Sequence, residues 1–403
     1  MAKPGLLFCM PGMTKRGPFS QPSMKKEKYI YMGYMNSHYY CVIMAGGTAN
    51  RFWPASREDT PKQFIDLSLV EGPVAGGTLV SETYERCRAL VPEENIIVVT
   101  LARYRDILKS QIPQLPDDNI LCEPYSRKTA PCIAYATCHI LKRDPEAVML
   151  VTPSDLLVRY DSVYRDTIAK VLDYVTDHPV LMTLGLTPES PDPNYGYIQV
   201  RGGRNACEAG GPVEVKTFTE KPDPQLAEVF CKSGEFYWNS GIFAWRASVI
   251  KEEMERYVPE IMSLFSGWSG ALGTTAEKEF VERAYTDCAK MSIDHGVMEK
   301  STRVWMYHAD FTWTDVNSWA ALYAVASGKD AAGNVTNAGK HLFGSSRGNL
   351  VLSQKPDKLI AVEGLEDYMV IDTDDVLLVC PRDSARYREF ITGIAMPGYE
   401  DYK

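Results

Sequence analysis

No run of 18 apolar residues occurs in the 403-residue chain, so no membrane-spanning helix is expected. A basic surplus is missing too. Lys and Arg number 43 against 52 Asp and Glu, a net charge of -9, which argues against a general nucleic-acid partner. The ten cysteines, at positions 9, 41, 87, 122, 132, 138, 207, 231, 288 and 380, contain no C-x-x-C pair. Several lie inside apolar runs, and together they read as reduced core thiols of a cytoplasmic protein. The six histidines show no H-E-x-x-H or other metal spacing. What remains, 45% hydrophobic and 24% charged, is an ordinary globular composition. The length suffices for one large α/β domain and a smaller one.

The first 37 residues read differently from the rest. Pro4, Pro11, Pro18 and Pro22 interrupt them, and among residues 1–34 Glu27 is the only acid. Gly5–Met10 is too short for a secretory apolar core before Pro11 breaks it. Residues 1–37 are expected to be a disordered extension, with Met35 a natural start just ahead of the first strand. A targeting role is the alternative.

The chain is organised around Val42–Lys62, VIMAGGTANRFWPASREDTPK. Cys41–Met44 suits a buried parallel strand. Gly46-Gly47 ends it, and without Cβ atoms the backbone there can turn sharply and approach a ligand. Successive N–H groups at such a turn make a concave nest for phosphate oxygens. Arg51 and Lys62 follow, with Pro54 and Pro61 stiffening the loop between them. The stretch is neither a P-loop nor a G-x-G-x-x-G fingerprint. It reads as a polyphosphate cradle, or else as a plain strand-to-helix turn.

Strands and helices then alternate, which indicates a mostly parallel sheet with helices on both faces. Thr78–Leu90 has helical apolar spacing, Asn95–Thr100 is a buried strand, Arg103–Gln111 a helix and Ile120–Glu123 a short strand. Thr129 is placed to cap the helix that Pro131 opens. Ala147–Val151 runs into Thr152-Pro153-Ser154-Asp155. A carboxylate at the carboxyl end of a central strand stands where open α/β sheets bind ligands. Mg²⁺ takes one or two carboxylates and completes its shell with phosphates and water, so Asp155 is the first candidate metal ligand. A helix N-cap is its other reading. Ser162–His178 is an amphipathic helix with Val163, Ile168, Val171, Leu172 and Val175 on its apolar face, and Ser248–Phe265 is read as one helix. From Asp330 short alternating runs recur between turn residues, at Asn349–Ser353, Leu359–Glu363, Tyr368–Asp372 and Val376–Cys380, indicating a small β domain over 330–403 behind a domain over 38–329. Asp372-Thr373-Asp374-Asp375 is read as a charged hairpin rather than a metal motif.

Eight motifs in order carry a family resemblance. Ala45-Gly46-Gly47, Arg51, Trp53-Pro54, Ser56-Arg57 and Pro61-Lys62-Gln63-Phe64 resemble the signature of the sugar-phosphate nucleotidyltransferases, usually GGxGTRLWPLS…PKQF. Glu123–Pro131 resembles EPxxRNTAP, Pro153-Ser154-Asp155 resembles PSDH, and Asn194–Ile198 resembles GYGYI. Glu220-Lys221-Pro222 and Trp238-Asn239-Ser240-Gly241 match EKP and WNSG. Ser292–Lys300 resembles SIDYAVMEK and reads as the opening of a structural helix. Trp313–Trp319 resembles WxDVGSW. The set is most similar to the mannose-1-phosphate guanylyltransferases. Ala49-Asn50, Lys128, Leu156, Asn194 and Asn317 depart from the pattern.

The resemblance implies a Rossmann-like nucleotidyltransferase fold with a left-handed β-helix-like tail used in packing or homodimerisation. It implies GTP and mannose 1-phosphate as substrates and Mg²⁺ on Asp155 and Asp315. The turn Ala45, Gly46, Gly47, Thr48 and Asn50 would take the triphosphate with Arg51, and Lys62 the α-phosphate. Arg127, Thr129 and Ser154 would line the nucleotide side. Tyr195, Gly196, Glu220 and Asn239 would hold the sugar, and Lys221 its phosphate. The same chemistry on another sugar or base, or a sugar-nucleotide sensor without turnover, are the alternatives.

Overall fold

Runs of buried β-branched residues build the central sheet. In β2 (Ile96–Leu101, IIVVTL) all six residues are buried, as expected of a strand covered on both faces. The computed structural model describes residues 36–48, 51–65, 77–158, 162–208, 210–311, 313–355, 357–383 and 386–402. The expected extension therefore lies outside the described residues except at its last two positions, and Ala49 and Asn50 lie outside as well. β1 (Tyr39–Met44) and β3 (Ile120–Glu123) flank β2, and β4 (Val148–Pro153) lies on the far side of β1. These four strands are parallel, in the order β3-β2-β1-β4.

After Asp155 the chain makes β5 (Leu156–Val158), a short strand and not the start of a helix. The sheet continues with β6 (Leu181–Leu186), β7 (Tyr197–Val200), β8 (Pro212–Thr219), β9 (Phe236–Arg246) and β10 (Val304–His308). Its full order is β3-β2-β1-β4-β9-β6-β10-β8-β7. Strand β9 enters antiparallel to both β4 and β6, so this half of the sheet is mixed, with β6 and β10 parallel. β11 (Trp313–Asp315) pairs antiparallel with β5 away from the main sheet.

Alternation along β1 divides the core. Cys41 and Ile43 face the helices Leu79–Arg88, Arg105–Gln111 and Ser162–Asp177, while Tyr40 and Val42 face Thr129–Arg143 and Ala247–Tyr257. Local chemistry sets the helix ends. Thr78 and Ser81 close a capping box before Leu79, and Asp223 accepts from the Leu226 N–H at 2.9 Å ahead of Pro224. Three readings change. Pro259 breaks the expected helix over 248–265 into Ala247–Tyr257 and Pro259–Leu264, because proline cannot continue a helical hydrogen-bond ladder. Val163 is 44% exposed, because it lies in the first turn and off the buried stripe. Thr129 is already the first helical residue, and Lys128, at φ +67°, takes the cap position without a side-chain bond.

The last part of the chain stacks short parallel strands. β12 (Val335–Thr336), β14 (Leu350–Ser353) and β16 (Tyr368–Asp372) form one layer, and β13 (Lys340–Phe343) with β15 (Leu359–Val362) another. Asn349 donates from Nδ2 to Asn334 Oδ1 at 2.9 Å, an amide rung between successive coils. β17 (Leu377–Pro381) returns antiparallel to β16, and Asp372–Asp375 spans the resulting hairpin. Asp372 is held there by Lys358 at 2.7 Å and Ser353 at 2.8 Å.

Candidate active site

The site gathers at the carboxyl ends of β1 and β4. Gln63 holds the Ala45–Gly47 turn, donating from Nε2 to the carbonyls of Ala45 at 2.8 Å and Gly47 at 2.9 Å. Gly46 is required by approach rather than by a left-handed backbone. A Cβ there would meet Glu123 Oε2 at 2.6 Å. Glu123 ends β3, is buried, and accepts from the Tyr285 hydroxyl at 2.9 Å. Burial pushes its carboxyl up to about 8, against the smaller opposing pull of that hydrogen bond.

The short helical turn Lys62–Phe64 aims Lys62 inward. Its side chain is 4% exposed, and Nζ donates to Asp155 Oδ2 at 3.1 Å. Asp155 itself is 40% exposed, so one of the two partners remains open to a ligand. Ser154 is buried, its N–H on the Met44 carbonyl at 3.1 Å, which ties the end of β4 to the end of β1. Asp315 enters by backbone register: it pairs with Leu156, the residue after Asp155. Its side chain lies outside the described residues.

Asp155 opens onto a cavity of about 190 Å³ that also takes in Tyr195, Gly196, Glu220, Lys221, Asn239, Asp294 and Trp313. At Gly196 a Cβ would stand 2.6 Å from Glu220 Oε2 and 3.3 Å from Asn239 Cβ, so the glycine lets both side chains close on the turn. Tyr195 packs between Trp238 at 4.7 Å and Trp313 at 5.4 Å, an aromatic wall. Lys221 adopts φ +46°, an uncommon conformation for a residue with a side chain, and Nζ meets Glu220 Oε1 at 3.1 Å. Asn239 is fully oriented. Its Oδ1 accepts from Thr183 Oγ1 at 2.9 Å, and its Nδ2 donates to Asp294 Oδ1 at 3.0 Å. Burial, then the charge of Glu220, pushes the Asp294 carboxyl up to about 7.

Asp294 was expected only in a structural helix; it lies in a π-helical turn, Asp294–Met298, that delivers it to the cavity. An acid among Ile293, Val297 and Met298 was the available signal. The sequence marks Glu123 only as the end of a strand and the start of the Glu123–Pro131 motif.

Thr48 and Arg127 line a second cavity of about 410 Å³ with Arg103, Tyr125 and Lys290. The Arg127 guanidinium donates to the carbonyls of Tyr285 at 3.1 Å and Thr286 at 3.2 Å. Thr129 Oγ1 accepts from the Ile293 N–H at 2.8 Å and lines neither cavity. Arg51 is exposed on its loop and lines neither. Asp155, Lys62 and the residues expected to hold the sugar are thus brought together, whereas Arg51 and Thr129 stand apart from that group.

A phosphate-suited turn beside a small polar cavity at the strand ends defines a nucleotidyl transferase. The nucleotidyl transferase family model matches residues 40–331, and that of the MannoseP isomerase/GMP-like beta-helix domain matches 339–390. Mannose-1-phosphate guanylyltransferases of Klebsiella pneumoniae and Escherichia coli are each 34% identical over 348 residues, 86% of this chain and 71% of theirs. A solved Thermus thermophilus structure, described as a mannose-1-phosphate geranyltransferase, is 31% identical with a TM-score of 0.75, over 89% of this chain and 100% of that one. The chain belongs to the mannose-1-phosphate guanylyltransferase family. Among the described residues no helix is long and apolar enough to cross a membrane.

Proposed function

We propose that the protein joins GTP and mannose 1-phosphate into GDP-mannose and pyrophosphate. One observation carries the reading. Asp155, tied to the buried Lys62, opens onto the same small cavity as Glu220, Asn239 and Asp294. Groups suited to phosphate and groups suited to sugar hydroxyls share one space. The names of the relatives supply the sugar and the base.

An oxygen of the sugar phosphate attacks the α-phosphorus in line. The new O–P bond forms as the bond to the β-phosphate oxygen breaks, and pyrophosphate leaves with that electron pair. The attacking oxygen is already ionised, so no general base is required. Positioning and charge neutralisation are the catalytic work. Lys62 neutralises the α-phosphate and Arg51 the departing pyrophosphate. The turn of Ala45, Gly46, Gly47, Thr48 and Asn50 cradles the triphosphate, with Ser154 and Arg127 on the nucleotide side. Lys221 orients the attacking phosphate against Glu220 and Asn239, which hold the sugar beside Tyr195 and Gly196.

Mg²⁺ belongs to the same proposal, held by Asp155 and Asp315. The donor chemistry fits. Asp155 offers a half-open hard oxygen, Asp315 is one register step away, and no group of three or more His, Cys, Asp or Glu among the described residues forms a closed cage. Mg²⁺ prefers few carboxylates plus phosphate and water. When bound it supplies charge neutralisation between the two phosphates. Self-association through the β-helix is also proposed, supported by exposed Leu342, Leu359, Leu377 and Val379, and is read by light scattering.

The deciding experiment is pyrophosphate release with Mg²⁺ from four nucleoside triphosphates against mannose, glucose, galactose and fucose 1-phosphates. GTP with mannose 1-phosphate should dominate. Another dominant pair would overturn the substrate assignment, and silence with GDP-mannose still binding would mark a sensor.

A further inference from the structure

The loop that carries Arg51 and Lys62 does not rest on its own domain alone. Phe52 and Trp53 are buried in a core completed by Trp319, Leu350, Met369 and Ile371, the last three from the β-helix. The Phe52 ring meets Trp319 edge-on at 4.9 Å. Polar bonds reinforce the contact. The Trp53 carbonyl accepts from Trp319 Nε1 at 3.3 Å and from the Tyr387 hydroxyl, 334 positions away. Trp53 Nε1 donates to the Tyr402 carbonyl at 2.7 Å. Arg57 grips both carboxylate oxygens of Asp375 in the β16–β17 hairpin, one at 2.8 Å. A planar guanidinium on a carboxylate by two parallel bonds fixes direction as well as distance. The midpoint of the loop is therefore fixed from outside, and its two cations hang on either side of the fixed points.

We propose that the β-helix and the segment after it brace the signature loop, so that Tyr387, Asp375 and Arg57 act as positioning residues for Lys62 and Arg51. The role assumed for those cations rests on the guanylyl-transfer reading above. None of the three touches the proposed substrate cavities, and their effect runs through the loop. A brace of this kind lowers the rate constant when cut and leaves the binding of the sugar phosphate alone, because Glu220 and Lys221 follow the end of β8 and Asn239 stands on β9, outside the loop.

The test uses the full chain carrying Tyr387→Phe, Arg57→Asp, Asp375→Arg, or the last two together. Amide exchange over residues 52–64 is measured beside kcat and both KM values. Tyr387→Phe and the single charge reversals should each speed exchange in that stretch and lower kcat, both by about tenfold, with the KM for mannose 1-phosphate held within about twofold. The charge swap should restore both readouts to within about threefold of the parent, as expected of a direct pair. Unchanged exchange over 52–64 in the single variants, or a swap that restores nothing, overturns the brace. The exchange readout stands apart from activity. A parent protein silent with every sugar phosphate would sink guanylyl transfer, and exchange would still decide the brace.

Discussion

Asn239 Nδ2 donates to Asp294 Oδ1 at 3.0 Å, joining the first half of strand β9 to a π-helical turn 55 positions later. With Thr183 on its Oδ1, the Asn239 amide has one orientation. Asp294 is therefore expected to set the geometry that the sugar meets. Asp294→Ala removes the acceptor and should lower kcat/KM for mannose 1-phosphate by about 100-fold, about 2.7 kcal/mol. Asp294→Asn keeps an acceptor and should stay within about tenfold. Steady-state pyrophosphate release measures both. Equal losses in the two variants would show that charge, and not orientation, is the contribution.

Two buried acids make stability depend on pH in a stated direction. Burial raises Glu123 to about 8 and Asp294 to about 7, both above their ordinary values. The folded state therefore binds protons that the unfolded chain releases. This contribution is complete below the ordinary carboxylate range and is lost as pH rises through about 4 to 8. Glu123→Gln keeps an acceptor for Tyr285 and no longer ionises. Between about pH 6 and 8.5 the parent should lose about 2–3 kcal/mol more than this variant, read from urea midpoints. Parallel slopes would mean that Glu123 is ionised throughout.

The strands, most helices and the sugar-side cluster were legible because each is local. Periodicity marks β2, and Glu220-Lys221-Pro222 or Trp238-Asn239-Ser240-Gly241 are contiguous words. Glu123 and Asp294 were not legible as site residues, because their carboxyls acquire their character only from partners at Tyr285 and Asn239 across the fold. The antiparallel entry of β9 was hidden for a related reason, since a buried apolar run has no direction. Strand β12 has only two residues and no periodicity to read. Thr129 matched its motif, yet its hydroxyl is taken by the Ile293 N–H.

Lys62 is buried while Asp155 is not, and the asymmetry separates rate from stability. Lys62→Met keeps the apolar stem and removes the charge. Asp155 left behind is 40% exposed and stays hydrated, so the loss of stability should stay within about 2 kcal/mol. On the proposed role of Lys62 the α-phosphate loses its cation, so kcat should fall by about 100-fold or more. Single-turnover kinetics beside a thermal melt reads both. A large fall in stability with kcat preserved would make the pair structural.

Gly46 has no room for a side chain on its own turn. A methyl added there must displace Glu123 Oε2, which would stand 2.6 Å away. Glu123 cannot swing aside without disturbing the Tyr285 hydrogen bond on its other oxygen, and both partners are buried. Overpacking of this kind costs about 1–3 kcal/mol. It also shifts the turn that the triphosphate is proposed to meet. Gly46→Ala is therefore expected to lower the melting temperature by several degrees and to raise the KM for GTP by about tenfold. Shortening the neighbour supplies the internal control. In a Glu123→Ala background the methyl has space, so adding Gly46→Ala should cost little further, a coupling that a double-mutant cycle reads directly. Strict additivity would mean that the two residues do not meet in solution.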